Sequence, residues 1–316
     1  PASVVGNLTP ADNSYNRTPT HLLRSMPLPY TTGMSAMMKN IGEMTNRGVE
    51  VEINYDIVRT KDWYVNFHTT YSYNTNKIDK LFYGLDQWDN KGALISYMVG
   101  KGLNYYMPIF AGVDEQDGAP MWYKVGYSGE AGYTYNPETM TKDESQIATL
   151  YQDTAKKRSE PHHGGFGFQV SWKGLTLAAD FAYVLGKYMV NNDYYLNTSS
   201  SAATQGMNLD RDALQMWKKP GDHAILPAFK YNSQFDTHLL ENSSFMRMKN
   251  LQLSYDLPAT WMQATRFFEN IRITFTGRNL FTVTKFKGVD PEVDSNLTAG
   301  NYPATRQYTL GVDVTF

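Results

Sequence analysis

The chain has 316 residues, and 29 lysines and arginines against 31 aspartates and glutamates give it a formal net charge of only -2. That balance lacks the basic footprint of a nucleic-acid-binding protein, and the absence of cysteine excludes disulfide frameworks and thiolate metal sites. Aromatic residues make up 14% of the chain, which suits β-structure and membrane interfaces. Mean hydropathy is -0.48, and no unbroken apolar run reaches the length of a membrane helix. A barrel wall remains compatible with this composition, because its apolar residues alternate with polar ones.

Residues 1–46 are the hardest to assign. Five prolines are expected to interrupt any long regular element there. Residues 22–26 predict one short strand. Residues 34–44, with four methionines, predict a loop with adaptable packing.

From Arg47 onward, apolar and polar side chains alternate with the period of two that is typical of a strand. In chain order the predicted strands are 47–57, 63–73, 105–113, 119–124, 164–172, 175–185, 250–257, 271–281 and 304–316. Lys173-Gly174 predicts a minimal hairpin turn. Residues 127–161 read as a long aperiodic connection, and Asn208 is expected to cap a short helix over 209–217.

The terminal strand has one apolar face and one polar or small face. Its apolar positions are Tyr308, Leu310, Val312, Val314 and Phe316. A free apolar edge invites pairing with other chains, whereas the last strand of a closed membrane barrel pairs with an earlier one.

The connections alternate in length along the chain. Turns 59–62, 173–174 and 258–270 are short or moderate, while 75–163, 186–243 and 285–303 are mostly long and polar. In an antiparallel meander this places every short turn at one end and every long loop at the other, which is typical of outer-membrane barrels. The fold class predicted is therefore all-β, a transmembrane antiparallel barrel with long outer loops.

The sequence contains no recognisable set of catalytic residues. The histidines do not form a spaced metal set, and no nucleophile elbow surrounds the serines at 199–201. The carboxylates at 114–117 and 290–294 suggest calcium, but turn formation explains them without a metal. Four titratable residues on the first two predicted strands are interpreted as the solvated face of a strand rather than as acid–base groups: Glu50, Glu52, Asp56 and His68. No enzyme activity, metal or cofactor is expected.

The predicted loops are rich in aromatic rings, which stack on sugars or hold peptide backbones. The candidate substrate-binding residues are Trp122, Tyr123, Tyr194, Tyr195 and Trp217. The alternative, about equally weighted for any single ring, is that these rings pack the loops against one another.

Several segments also resemble motifs of the SusC/RagA-like TonB-dependent transporters. They are NRGVE at 46–50, AGVD at 111–114 with DG at 117–118, HGGF at 163–166, FMRMKNLQLSYDLP at 245–258, GRNLF at 277–281, GVDPE at 288–292 and the final Phe316. Each motif is weak alone, but their order and spacing are specific over about residues 40–316. Residues 1–16 match no motif of that family.

The resemblance implies that residues 1–316 are the C-terminal portion of a large plugged barrel of roughly 22 strands, with the plug outside this chain. With the short turns on the periplasmic side of the bacterial outer membrane, the terminal strand descends and leaves Phe316 on that side. The implied partners are the remainder of the same barrel, outer-membrane lipid, a SusD-like surface lipoprotein and, through the plug, TonB. A dimer of the transporter–lipoprotein pair is also compatible with it.

The expected function is active import of a nutrient, an oligosaccharide or a peptide, with no reaction catalysed. Two alternatives stay open at this point. One is a passive outer-membrane pore or a rim enzyme, and the other is a soluble all-β binding module whose apolar strand faces share a core.

Overall fold

The computed structural model describes residues 7–19, 23–28, 30–34, 36–40, 42–127, 129, 134–200, 204–265, 267–293, 295 and 297–316. The strands are β1 (Asn7–Arg17), β2 (Leu23–Pro27), β3 (Ala36–Asn40), β4 (Gly42–Arg59), β5 (Trp63–Leu81), β6 (Gln87–Asn90), β7 (Ile95–Met98), β8 (Asn104–Pro108), β9 (Phe110–Val113), β10 (Pro120–Tyr123), β11 (Met140–Thr141), β12 (Tyr151–Lys157), β13 (His162–Trp172), β14 (Leu175–Leu185), β15 (Tyr188–Val190), β16 (Leu240–Asn242), β17 (Phe245–Asp256), β18 (Asn270–Arg278), β19 (Thr282–Thr284) and β20 (Gln307–Thr315). Two short α-helices are α1 (Asn192–Thr198) and α2 (Ala259–Thr265). Short 3-10 helices cover Tyr30–Thr32, Phe82–Gly84, Lys91–Ala93, Glu144–Thr149, Arg211–Gln215 and Thr237–Leu239. Across these ranges no helix is long and apolar enough to cross a membrane.

One antiparallel sheet dominates the structure, in the order β1-β4-β5-β13-β14-β17-β18-β20, with β19 also pairing β17. Its strands meet in register, so the alternation within each strand extends across the sheet. One row across the sheet is wholly apolar: Val65, Val170, Leu177, Leu253, Phe275 and Leu310. The adjacent row is polar or small: Asn66, Gln169, Ala178, Gln252, Thr276 and Thr309. The sheet therefore has an apolar face and a polar face.

The apolar face is open. Leu310 is 73% exposed, Val312 60% and Leu177 36%, so no other described element covers them. A soluble sandwich would bury such a face between its two sheets. A large contiguous apolar surface requires an apolar environment, which lipid supplies to an outer-membrane barrel.

The short connections lie at one end of the sheet and the long connections at the other, as the sequence predicts. Residues 60–62, 173–174 and 257–269 connect neighbouring strands at one end. Residues 82–161, 186–244 and 279–306 connect them at the other, and we call these three segments the loop layer. The connection between β1 and β4, residues 18–41, lies at the same end as the loop layer.

The buried core lies in the loop layer and at its junction with β5, rather than between two sheets. Small sheets β12-β8-β7-β6, β11-β10-β9 and β15-β16 build the layer. Tyr105, Met107, Val190 and Leu239 form one of its fully buried clusters. Contacts such as the Tyr105 hydroxyl donating to the Tyr188 carbonyl at 2.9 Å join different loops. The long loops are therefore packed together into one structured layer.

Four sequence expectations about local structure were wrong. Proline does not stop β1, because Pro10 lies on a strand whose pairing in the described sheet is with β4 alone, and an edge strand tolerates a missing N–H. Residues 34–44 are not a loop, since they contain β3 and the start of β4. The connection 127–161 contains β11, a 3-10 helix and β12. The helix expected at 209–217 is a 3-10 turn, Arg211–Gln215, capped by Asp210 rather than Asn208.

Candidate functional site: a charged groove under the loop layer

A row of residues with small side chains crosses the polar face just below the loop layer and forms the floor of a depression. In register, Thr70 pairs with Gly165 and Gly165 with Ala182. Glu52 lies on one side of this floor and Arg247 on the other. Four gaps between strands separate these two charged residues, or roughly 19 Å at ~4.8 Å per gap. We call this depression, walled by Glu52 and Arg247, the mouth groove.

Three cavities of about 370, 530 and 340 Å³ follow the groove and share His163 in their lining. Glu50 and Glu52 line the first cavity, on the β4 side. Arg158, Glu160 and Lys187 line the third, directly beneath the loop layer. In register, Glu50 pairs with Ser72 and Ser72 with His163, so one cross-strand row joins the acidic side to the centre of the groove.

The far wall is a segment of the last long loop, held against the polar face by cations. Arg247 Nη2 lies 2.7 Å from Asp290 Oδ1. Arg247 and Lys249 both contact the carboxylate of Glu292. Lys187 Nζ donates to the carbonyls of Pro291, at 3.0 Å, and Val293, at 2.8 Å. These contacts fix the loop as a rigid border of the groove.

Asp290 is held in its charged form. Burial alone would raise its pKa, but hydrogen bonds from Arg247 and from the backbone N–H groups of Ala304 and Glu292 outweigh that effect. The pKa of Asp290 therefore lies below its ordinary value. At neutral pH the Asp290 side chain is therefore a carboxylate.

Four charged or titratable groups of the groove are left without a partner. Within the residues that the structure describes, Glu52, Arg158, Glu160 and His163 make no side-chain hydrogen bond or ion pair. Asn74, in the lining beside Arg158, has a side-chain oxygen that is shielded from solvent and unpaired. Elsewhere in the loop layer, charges such as Lys142 with Asp114 and Lys287 with Asp212 are matched. A concave surface with unmatched charges is suited to binding a polar ligand.

Comparison with known proteins supports a shared fold and sequence over nearly the whole chain. No family model matches it. TonB-dependent receptor SusC of Bacteroides thetaiotaomicron is 25% identical over 98% of this chain, and TonB-dependent receptor P3 of Formosa agariphila is 26% identical over 93%. A solved structure of the RagAB peptide transporter superimposes with a TM-score of 0.88 and 36% identity over 98% of this chain. An 'open-open' structure of the RagAB peptide importer gives a TM-score of 0.84.

The chain is a SusC/RagA-like barrel segment. It spans about a third of the length of these relatives, 30% of SusC and 33% of the matched RagAB chain. The family recognised from the motifs is confirmed, as is the all-β barrel fold class. The relatives that this SusC/RagA-like chain matches are a TonB-dependent receptor and a peptide transporter. The relatives are described as receptors and transporters, in agreement with the expectation that no reaction is catalysed.

The aromatic candidates of this SusC/RagA-like chain lie in the loop layer rather than in the mouth groove. Trp122 and Tyr123 are 0% and 1% exposed, and Trp122 Nε1 donates to Asp236 Oδ2 at 2.6 Å. Tyr194 is partly buried, with its hydroxyl 3.1 Å from Asp212. The Tyr195 ring packs against Phe235 at a tilt, and the Trp217 indole donates to the Glu115 carbonyl. In this arrangement Trp122 and Tyr123 pack the loops; substrate binding by the five residues stays a prediction.

Of the carboxylates considered for calcium, Asp114, Asp117 and Asp290 are paired with cations, and Asp294 lies outside the described residues. Lys142 Nζ lies 2.6 Å from Asp114 and 3.1 Å from Asp117, and Asp290 pairs with Arg247. No group of three metal-ligating side chains occurs among the described residues.

Sequence reasoning missed Arg158, Glu160 and Lys187. Arg158 and Glu160 lie in the predicted connection 127–161 and Lys187 follows the predicted strand 175–185, so no alternation marks them. The HGGF motif was the available signal, because two adjacent glycines in a strand indicate a close approach or a lowered surface.

Proposed function

We propose that this chain forms part of the wall and mouth of a TonB-dependent importer, which carries a nutrient across the bacterial outer membrane without catalysing a reaction. The observation that carries the proposal is the wide apolar face, open on a sheet whose long loops all lie at one end. The likeness to the RagAB peptide transporter over 98% of the chain supports it.

In this proposal the polar face encloses the lumen and the loop layer faces the outside. The descending strand β20 then leaves Phe316 on the periplasmic side. The strands that close the barrel and the plug that engages TonB come from outside these 316 residues. Both edges of the sheet support this, because β1 pairs with β4 alone and β20 with β18 alone among the described strands.

The nutrient, an oligosaccharide or a peptide, binds between the loop layer and the plug. Tyr194, Tyr195 and Trp217 are proposed as ligand contacts at this level, being partly exposed. Trp122 and Tyr123 are proposed to support that surface from beneath. TonB supplies the energy that displaces the plug.

A SusD-like lipoprotein is the proposed partner at the outer surface. Exposed apolar side chains support a protein contact there: Leu196 is 51% exposed, Leu214 70% and Phe229 50%. A dimer of the transporter–lipoprotein pair is part of the same proposal.

Two measurements test the import function. The full-length protein is expected in the membrane pellet, released only by detergent, and recovery in the soluble fraction would refute the barrel. Uptake of a labelled nutrient mixture is expected to stop when either this gene or TonB is deleted. Uptake that persists without TonB would instead favour a passive pore.

A further inference from the structure

Aromatic residues border the apolar face at both of its ends. At the end with the short turns, Trp63 lies across from Trp172, with ring centroids 5.7 Å apart. At the end with the loop layer, Tyr71, Tyr73 and His162 lie together, with the Tyr71 hydroxyl 2.8 Å from His162 Nδ1. Trp63 and Tyr73 are ten residues apart on β5, which is ~33 Å along the strand and ~25 Å in height at a tilt of ~40°. That is the height of the apolar band of an outer-membrane barrel, so the second group of rings marks the outer membrane interface.

A pocket of about 330 Å³ opens on this outward face just above the second group of rings. Thr75 and Lys77 follow Tyr73 on the same face of β5, and Arg47 of β4 lies directly across from Thr75. Two and four residues beyond Tyr73 correspond to ~5 and ~10 Å of height, which is the layer of the lipid headgroups. We call this cavity the rim pocket; its lining includes Thr45, Arg47, Thr75, Lys77, Asp79 and Gly102.

The rim pocket has two cations and one carboxylate, and its cations are open to a ligand. Asp79 accepts a hydrogen bond from the Thr45 hydroxyl at 2.5 Å. Arg47 has a single long contact among the described residues, from its Nε to Asn16 Oδ1 at 3.4 Å. In the same part of the chain, Lys77 makes no side-chain hydrogen bond or ion pair. The net charge of the pocket is therefore +1, which favours an anionic group.

The surface directly below the rim pocket is apolar. Val49 and Val51 follow Arg47 on the outward face of β4, and Val49 is 43% exposed. A molecule that joins an anionic group to acyl chains contacts the pocket and this surface at the same time. A phosphate-bearing membrane lipid has that chemistry, and arginine and lysine are the side chains that bind phosphate. Height, charge and the apolar surface below thus favour a lipid over a free anion.

We propose that the rim pocket binds the phosphate group of an outer-leaflet lipid between Arg47 and Lys77. The acyl chains of this lipid lie along the apolar face beside Val49 and Val51. The inference rests on the proposed orientation of the barrel, with the loop layer outside, and adds a lipid ligand that is separate from the imported nutrient.

Dioleoylphosphatidic acid and dioleoylglycerol are the test pair, because they differ only in the phosphate group. Binding of each to the complete transporter is measured by native mass spectrometry in a maltoside detergent, which contains no phosphate. The phosphatidic acid is expected to bind about 100-fold more tightly, because two charge-assisted contacts contribute roughly tenfold each. Inorganic phosphate offers the same group without acyl chains and is expected to bind more weakly than the phosphatidic acid. These comparisons need no variant and so do not depend on how a variant folds.

Variants then assign the binding to the rim pocket. Arg47→Gln and Lys77→Gln are each expected to weaken phosphatidic acid binding about tenfold. The double variant is expected to bind it no more tightly than dioleoylglycerol. Lys61→Gln combined with Lys173→Gln is the matched control, because it removes two positive charges from exposed positions at the opposite end of the sheet. The control is expected to keep the tight binding.

Three results would overturn the inference: equal binding of phosphatidic acid and dioleoylglycerol, equal losses in the two double variants, or inorganic phosphate binding as tightly as the lipid. The last result would assign the pocket to a free anion. TonB-dependent uptake of the labelled nutrient mixture is measured separately. Uptake that persists alongside any of these results would reject the lipid site and retain the importer, whereas selective lipid binding without TonB-dependent uptake would retain the lipid site alone.

Discussion

Arg247 Nη2 lies 2.7 Å from Asp290 Oδ1, and neither side chain is more than 8% exposed. The pair joins β17 of the wall to the last long loop. Asp290 also accepts the backbone N–H groups of Glu292 and Ala304, so one carboxylate holds two points of that loop. The wall and the loop layer are thereby connected by a buried ion pair.

Replacing Arg247 with glutamine is expected to release the last loop. It leaves Asp290 buried without its cation, which costs about 3 to 5 kcal/mol. Hydrogen exchange of the complete transporter is expected to rise across 288–306. Arg272→Gln is the matched control, because its pair with Asp256 is half exposed and is worth less than about 1 kcal/mol. Equal effects of the two variants would show that the buried pair is not what fixes the loop.

Acid is expected to open the same contact. The pKa of Asp290 in the folded protein lies below its ordinary value, so the stability it contributes is present above about pH 4 and is lost as pH falls through the folded pKa. Protease cleavage within 285–306 is expected to begin only below about pH 4. Asp290→Asn is expected to be cleaved at neutral pH and to lose this pH dependence. A wild-type transition near pH 6 would point to a different group.

The wall of this fold was predictable from the sequence, whereas the groove was only partly so. Strands β13 and β14 are predictable from their own sequence, because neither the alternation of side chains nor the Lys173-Gly174 turn depends on residues far away in the chain. The groove depends on register between five strands and on loop residues such as Arg158 and Lys187, whose positions follow from tertiary contacts. The carboxylates Glu50 and Glu52 were correctly placed on the polar face but could not be matched to a basic partner surface.

The loop layer shows a second limit of prediction from sequence. Its aromatic residues suggested a binding surface, because sequence gives residue type without burial. Trp122 is instead fully buried, with its indole bonded to Asp236. A tryptophan in a long polar connection carries no local sign of which role it has.

Trp122→Phe is expected to destabilise the loop layer by about 1.5 to 3 kcal/mol, because it removes the hydrogen bond that the indole N–H donates to the Asp236 side chain. Trp261→Phe is the control: Trp261 is 60% exposed, and its change is expected to be neutral. Thermal unfolding and uptake of the labelled nutrient mixture are measured together. Lost uptake with unchanged stability would assign Trp122 to the residues that contact the ligand.

Gly167→Ala is expected to separate His68 from Asp180. These side chains meet at 3.1 Å across Gly167, and a Cβ there would lie 2.5 Å from both. The expected loss is about 1 kcal/mol, the typical value of one hydrogen bond. Gly311→Ala is the matched control on β20, where the nearest atom is 3.9 Å from the added carbon. It is expected to be neutral or stabilising by up to about 1 kcal/mol, because alanine has less backbone entropy to lose. Greater harm from Gly311→Ala would contradict the register between β13, β5 and β14.

Leu310→Arg compared with Thr309→Arg tests which face of β20 meets lipid. The two positions are adjacent, so strand propensity and length are matched and only the face differs. On the lipid face an arginine near the middle of the membrane costs about 2 to 4 kcal/mol, whereas the lumen solvates it. Urea unfolding of the complete transporter in lipid vesicles is expected to show that loss for Leu310→Arg alone. Equal losses, or a larger loss for Thr309→Arg, would mean that the face carrying Thr309 is not a hydrated lumen and would contradict this assignment of the two faces.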